Sequence, residues 1–147
     1  MLKFTPSFTF DKGQCDQAIE LYKKAFNAEV AVKMLYSDAD PKDLQYKEEE
    51  KDFIFHCQIK IGEQILILGD DSGKMLDENA QDKSSRLALL IQFGTDDELK
   101  AAYEMLSDDA NIHTPLSSTT YFSSCATLID KFGMRWELMC GYTGEGM

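Results

Sequence analysis

Apolar side chains return along this chain with two different periods, and the alternation between those periods lays out its elements. Phe4, Pro6, Phe8 and Phe10 alternate with Thr5, Ser7 and Thr9, which predicts a strand with one apolar and one hydroxyl-bearing face. After the turn Asp11-Lys12-Gly13 the period lengthens. Cys15, Ala18, Ile19, Tyr22, Ala25 and Phe26 fall three and four apart, predicting a helix with Asp16, Glu20, Lys23 and Lys24 outside and Asn27 at its end. Val30, Val32, Met34 and Tyr36 alternate again as a second strand. Residues 37–52, with Pro41 and the run Lys47-Glu48-Glu49-Glu50-Lys51, read as a solvated loop. Residues 53–61 and 64–68 flank Gly62-Glu63 and predict a tight hairpin.

The pattern then restarts. Residues 69–85, rich in Asp, Gly, Asn and Ser, predict a linker. Leu87, Leu89, Ile91 and Phe93 form a strand face, and Thr95-Asp96-Asp97-Glu98 has the form of a capping box ahead of a helix carrying Leu99, Ala102, Tyr103 and Leu106. Residues 112–117 contain Pro115 and predict an edge strand, because proline cannot donate to a ladder. Residues 121–129 and 134–140 close the chain as two strands around Lys131-Phe132-Gly133. Strand, helix, strand, strand, strand is thus written twice. Phe10 aligns with Phe93 at an offset of 93 − 10 = 83, and Lys60-Ile61-Gly62 with Lys131-Phe132-Gly133 at 133 − 62 = 71. The expectation is one α+β domain over residues 1–147: module one about 1–69, linker about 70–85, module two about 86–147. A single half would leave one face of its sheet bare, so the halves are expected to close a cavity, within one chain or across a dimer.

Composition narrows the partners. A length of 147 residues with 44% hydrophobic suits one core. The net charge of −11, with 26 acidic against 15 basic residues, argues against nucleic acid, whose phosphates need a basic stripe. No run approaches the roughly 18 apolar residues that cross a bilayer, and the first residues lack a basic segment followed by an apolar one, so no membrane association and a cytoplasmic location are expected. Cys15, Cys57, Cys125 and Cys140 are scattered without a CxxC pair and read as free thiols of a reducing compartment.

Three segments carry a resemblance. They are Phe8-Thr9-Phe10-Asp11 running on to Ala18-Ile19-Glu20-Leu21-Tyr22-Lys23-Lys24-Ala25-Phe26-Asn27-Ala28-Glu29-Val30, then Ile54-Phe55-His56-Cys57-Gln58-Ile59-Lys60-Ile61-Gly62 with Asp70, then Asp130-Lys131-Phe132-Gly133-Met134-Arg135-Trp136-Glu137-Leu138. In this order the chain resembles, over essentially its whole length, the PhnB-like branch of the glyoxalase/bleomycin-resistance (vicinal oxygen chelate) superfamily. The resemblance implies two βαβββ modules forming a cupped mixed sheet, a homodimer, and a small-molecule ligand. It also implies the positions at which other members hold a divalent metal, through His, Gln or Glu on the first and last strands of each module.

At those positions this sequence offers few donors. Thr5, Ser7 and Thr9 occupy the inward face of the first strand, Ala88, Leu90 and Gln92 the corresponding places of the second module, and Glu137 aligns with Leu66. Only Glu137 and Gln92 donate well, and hydroxyls do not offset an ion's lost hydration, so no metal and no other cofactor is expected. A structural role for Glu137, held by Arg135 two residues away, competes with a ligand role. His56 lies on a polar strand face with Gln58 and Lys60, and offset 71 gives it Thr127 as counterpart, beside Cys125 and Ser123. It could act as a general base or bond a ligand carbonyl, or simply be satisfied by its neighbours. Cys125 with His56 as nucleophile and base rests on inward position alone. Trp136 and the aromatics Phe4, Phe8 and Phe10 read as core. The expected ligand-binding set is His56, Gln58, Thr5, Ser7, Gln92, Cys125, Thr127 and Glu137. The function expected is small-molecule binding in a cavity without a complete metal site; a metal-dependent glyoxalase- or dioxygenase-type enzyme is the alternative. A methyltransferase, the demethylubiquinone label of this branch, is a third, and neither Asp11-Lys12-Gly13 nor Gly69-Asp70-Asp71-Ser72-Gly73 makes the glycine-rich turn such a cofactor uses.

Overall fold

A computed structural model describes residues 1–72 and 87–142, which form two compact units. The first contains β1 (Ser7–Phe10), α1 (Cys15–Phe26), β2 (Glu29–Leu35), β3 (Ile54–Ile61) and β4 (Gln64–Asp70). Its sheet runs β1-β4-β3-β2, with β1 parallel to β4 and the remaining pairs antiparallel. The second contains β5 (Leu89–Phe93), α2 (Asp96–Leu106), β6 (Asn111–Ser117), β7 (Ser124–Ile129) and β8 (Arg135–Cys140), in the same order, β5-β8-β7-β6. The repeat extends to local irregularities: β2 carries a register shift between Val30 and Val32, and β6 one between Ile112 and Thr114. Most of the linker expected at 70–85, from residue 73 on, lies outside the described residues.

Each sheet buries one face under its own helix. In the first unit Phe10, Cys57, Ile59, Leu66 and Leu68 are buried, as are Cys15, Ala18, Ile19 and Tyr22 of α1; in the second, Ala126, Leu128, Trp136 and Leu138 are buried together with Leu99, Ala102 and Leu106 of α2. The three- and four-residue spacing of the helical set is what aims it at a pleated surface. Asn27 ends α1 in the left-handed conformation, φ 56°, where a short polar side chain is tolerated. Gly62, φ 57°, makes the two-residue turn between Ile61 and Gln64. Pro115 does sit on an edge strand.

Buried carboxylates, which sequence pattern did not single out, fasten the turns. Asp70, 7% exposed, accepts from the amides of Gly13 (2.9 Å) and Cys15 (2.9 Å) through Oδ1 and from Ile54 N (2.7 Å) through Oδ2. The last residue of β4 therefore caps the start of α1 from outside the helix. The second unit reverses the polarity of this joint. Its position paired with Phe93 is Cys140, as Asp70 is paired with Phe10, so no strand carboxylate is available. Instead Thr95 caps α2 itself, accepting from Glu98 N at 3.2 Å, and Asp96 accepts from the hydroxyls of Ser123 and Ser124, both at 2.6 Å. These hydroxyl bonds hold the Asp96 carboxyl below its ordinary range. Asp130 closes the β7–β8 turn, accepting from Phe132 N (2.9 Å), Met134 N (3.0 Å) and Trp136 Nε1 (2.9 Å).

Several expectations are corrected. The first strand begins at Ser7, since Thr5 and Pro6 precede it, and Phe4 is 92% exposed rather than core. Leu87 is 75% exposed and, with Ala88, lies ahead of β5; residues 121–123 likewise precede β7. Gly69 and Asp70, placed by composition in the linker, complete β4. Residues 37–52 are not solvated throughout. Tyr36 stacks on Tyr46 and Phe53 with centroids 6.0 and 5.8 Å apart and donates to the Asp71 carbonyl at 3.0 Å. Leu44 is buried, and Glu50 pairs with Lys12 at 2.8 Å. No helix among the described residues is long and apolar enough to cross a membrane.

Candidate functional site

The face of each sheet turned away from its helix carries the candidate residues. In the first unit the register sets Ser7 beside Ile67 and Ile67 beside Gln58, while Met34 and Val32 of β2 stand beside His56 and Gln58. Ser7, Gln58 and His56 therefore share one face, with Thr5 beyond the end of β1. Phe55 is half-buried while Cys57 and Ile59 are fully buried, so the parity expected for β3 holds over its central residues. His56 and Gln58 are in contact, ring Nε2 to amide Nε2 at 3.1 Å.

In the second unit Thr127 pairs with both Thr114 and Glu137, Cys125 with both Ser117 and Met139, and Leu90 with Glu137. Gln92 pairs with Met139 and so sits one step diagonal to Glu137 on the same face. Gln92, Cys125, Thr127 and Glu137 are brought together on one sheet surface, and Trp136, of opposite parity, is fully buried as expected.

The counterparts inferred from the repeat shift. The first hairpin turns in two residues, between Ile61 and Gln64, whereas the second leaves five, 130–134, between Ile129 and Arg135. Matching the β1–β4 ladder to the β5–β8 ladder makes Asp70 equivalent to Cys140, an offset of 140 − 70 = 70. Glu137 then corresponds to Ile67, not to Leu66, and His56 corresponds to Cys125, not to Thr127. A fixed offset of 71 taken from the turn glycines misses the unequal turn, and on β4 a one-residue error moves the counterpart to the other face.

Known structures share this fold. A PhnB protein from Bacillus cereus, described as a putative 3-demethylubiquinone-9 3-methyltransferase, superposes with a TM-score of 0.76 at 20% identity, over 95% of this chain and 100% of its own. Protein PA1353 from Pseudomonas aeruginosa does so with a TM-score of 0.77 at 18% identity, over 95% of this chain and 98% of its own. A glyoxylase/bleomycin resistance protein/dioxygenase domain from Frankia sp. EAN1pec gives 0.65 at 14%, over 99% and 95%. The fold is that of the glyoxalase/bleomycin-resistance proteins. No protein-family model and no curated protein matches the sequence.

Within the glyoxalase/bleomycin-resistance fold the residues present here do not suit a divalent metal. The first strand of module one offers Ser7 and Thr9, its last strand Ile67, and the second module only Gln92 and Glu137. Among the described residues no three His, Cys, Asp or Glu side chains gather as a ligand set. A stable N/O site needs three or four such donors, and one carboxylate with an amide and hydroxyls falls short.

Cysteine chemistry separates by burial. Cys15, Cys57 and Cys140 are buried, and desolvation pushes the Cys57 thiol up to about 11, the Cys15 thiol higher still, and the Cys140 thiol upward. Cys125 is half-buried, its Sγ 3.9 Å from Ser117 Oγ. Native protein treated with a disulfide reagent near pH 8 is expected to show one fast thiol, lost in Cys125→Ser, and three that react only on unfolding. Two or more fast thiols in the folded protein would refute the burial assignment.

Proposed function

We propose that this protein binds a small organic molecule on the sheet faces turned away from its helices, without a complete metal site, and does so as a homodimer. The observation that carries the reading is the lining itself. On each face a few polar groups, His56 and Gln58 in one unit and Gln92, Thr127 and Glu137 in the other, stand among apolar neighbours such as Met34, Val32, Ile67, Leu90 and Met139. Apolar surface with a small number of placed donors and acceptors is the usual make-up of a ligand site. The fold supports the reading as well, since the Frankia structure named above is described as a bleomycin-resistance or dioxygenase-type domain.

A metal-dependent glyoxalase- or dioxygenase-type reaction draws no support from first and last strands whose good donors are Gln92 and Glu137, nor from the described residues, among which no three His, Cys, Asp or Glu gather. A methyltransferase draws none from the first strand-to-helix turn, whose Gly13 and Cys15 amides are taken by Asp70 and not presented to a cofactor.

Two-dimensional NMR of the protein against a collection of small aromatic fragments tests the proposal. Perturbations are expected at His56 and Gln58 or at Gln92, Thr127 and Glu137, and an alanine at His56 is expected to weaken a fragment seated there about tenfold, one lost hydrogen bond's worth. Binding confined to helical residues, or none across the collection, would count against it. Size-exclusion chromatography with light scattering reads the dimer directly.

A further inference from the structure

The contact between His56 and Gln58 has a chemical direction. A side-chain amide nitrogen can only donate, and at 3.1 Å from His56 Nε2 it requires that ring nitrogen to be the acceptor. A neutral imidazole with Nε2 as acceptor carries its hydrogen on Nδ1. Among the described residues His56 Nδ1 has no protein partner, and Gln58 Oε1 likewise has none.

The surroundings fix what that leaves for a ligand. His56 is flanked across the ladder by Met34, and Gln58 by Val32 on one side and Ile67 on the other, so the polar pair stands among apolar side chains. Farther along β3 on the same face, Lys60 is the direct cross-strand partner of Glu29, a charge of opposite sign. Among the described residues of this sheet, no charged side chain is a ladder partner of His56 or Gln58.

We propose that Gln58 is a positioning residue that holds His56 in its Nδ1–H tautomer, so that the face offers one N–H donor and one amide acceptor to an uncharged ligand bearing a carboxamide or lactam group on an apolar body. This rests on the reading that the open face of the first unit is a ligand site, and it adds the class of ligand. The imidazole Nδ1–H donates to the ligand carbonyl, and Gln58 Oε1 accepts the ligand N–H. A carboxylate ligand would meet Gln58 Oε1 acceptor to acceptor, and an ammonium would meet the His56 N–H donor to donor.

Two measurements test it separately. Long-range proton–nitrogen correlation of the histidine rings in the unliganded protein is expected to show His56 Nε2 unprotonated and Nδ1 protonated near neutral pH. In Gln58→Glu, an isosteric change that leaves only acceptors beside the ring, the hydrogen is expected to move to Nε2. His56 found with its hydrogen on Nε2 in the wild type, or unchanged in Gln58→Glu, overturns the positioning role whatever the face binds. Benzamide, benzoate and benzylamine, which share a ring and differ in head group, test the ligand class. Benzamide is expected to shift His56 and Gln58 resonances saturably and the other two not. A larger response to benzoate or benzylamine overturns the class while leaving a small-molecule site in place, and silence of this face toward all three overturns the class together with the site.

Discussion

Replacing Asp70 with alanine is expected to lower the stability of the first unit by about 3–5 kcal/mol, because three amides lose a charged acceptor and two of the bonds are fully buried. Two of the three amides belong to Gly13 and Cys15, at the entry to α1, and the third to Ile54 at the start of β3. The change therefore loosens helix and sheet together. Urea denaturation followed by far-ultraviolet circular dichroism reads the loss, and an Asp70→Ala midpoint within error of wild type would show that the joint is dispensable. The same group gives a pH signature. Burial raises the Asp70 carboxyl above its ordinary value of 3.8, and the amides of Cys15, Ile54 and Gly13 oppose that shift only in part. Folding thus favours the protonated form relative to the unfolded chain. The stability linked to this titration is fully present below 3.8 and is lost as pH rises through the raised folded value. Asp70→Asn is expected to remove that slope while keeping one acceptor. Asp96 works the other way: its lowered carboxyl contributes stability above 3.8 that disappears on acidification, so the slopes are separable by single substitutions.

Asp130→Ala is expected to cost the second unit a similar amount, about 3–5 kcal/mol, since Phe132 N, Met134 N and the Trp136 indole N–H lose an acceptor in a buried turn. Trp136 is the only tryptophan in the chain and is fully buried, so its fluorescence reports on this site without labelling. The variant is expected to unfold at lower urea and, when folded, to emit at longer wavelength as the indole gains access to water. Asp130→Asn, which keeps one carbonyl oxygen, should fall between the two. An alanine variant with wild-type emission and midpoint would mean that the turn holds without its carboxylate.

Much of this fold was legible in the chain because burial on one side of each element imposes a period. Cys15, Ala18, Ile19 and Tyr22 predict both α1 and its buried stripe, and Pro115 places β6 at an edge; both hold. What the pattern misses has specific causes. Phe4 alternates correctly with Phe8 and Phe10, yet periodicity carries no information about where the β1–β4 ladder ends, and Phe4 is left 92% exposed. Asp70 and Asp130 look like ordinary turn residues, since polar composition marks loops and cannot reveal a carboxylate that satisfies amides distant in sequence. For the candidate site, strand parity correctly groups His56 with Gln58 and Cys125 with Thr127, because alternation survives any even error. It fails for the counterpart of Glu137, where an unequal turn introduces an odd one.

If the lining of these sheet faces holds its ligand without a bound cation, the protein takes up little metal. Purified protein equilibrated with zinc, nickel and manganese, freed of excess metal by gel filtration and assayed by inductively coupled plasma mass spectrometry, measures this directly. Far less than one equivalent of any of the three is predicted, unchanged in Glu137→Gln. One equivalent per chain, lost in Glu137→Gln, would contradict it.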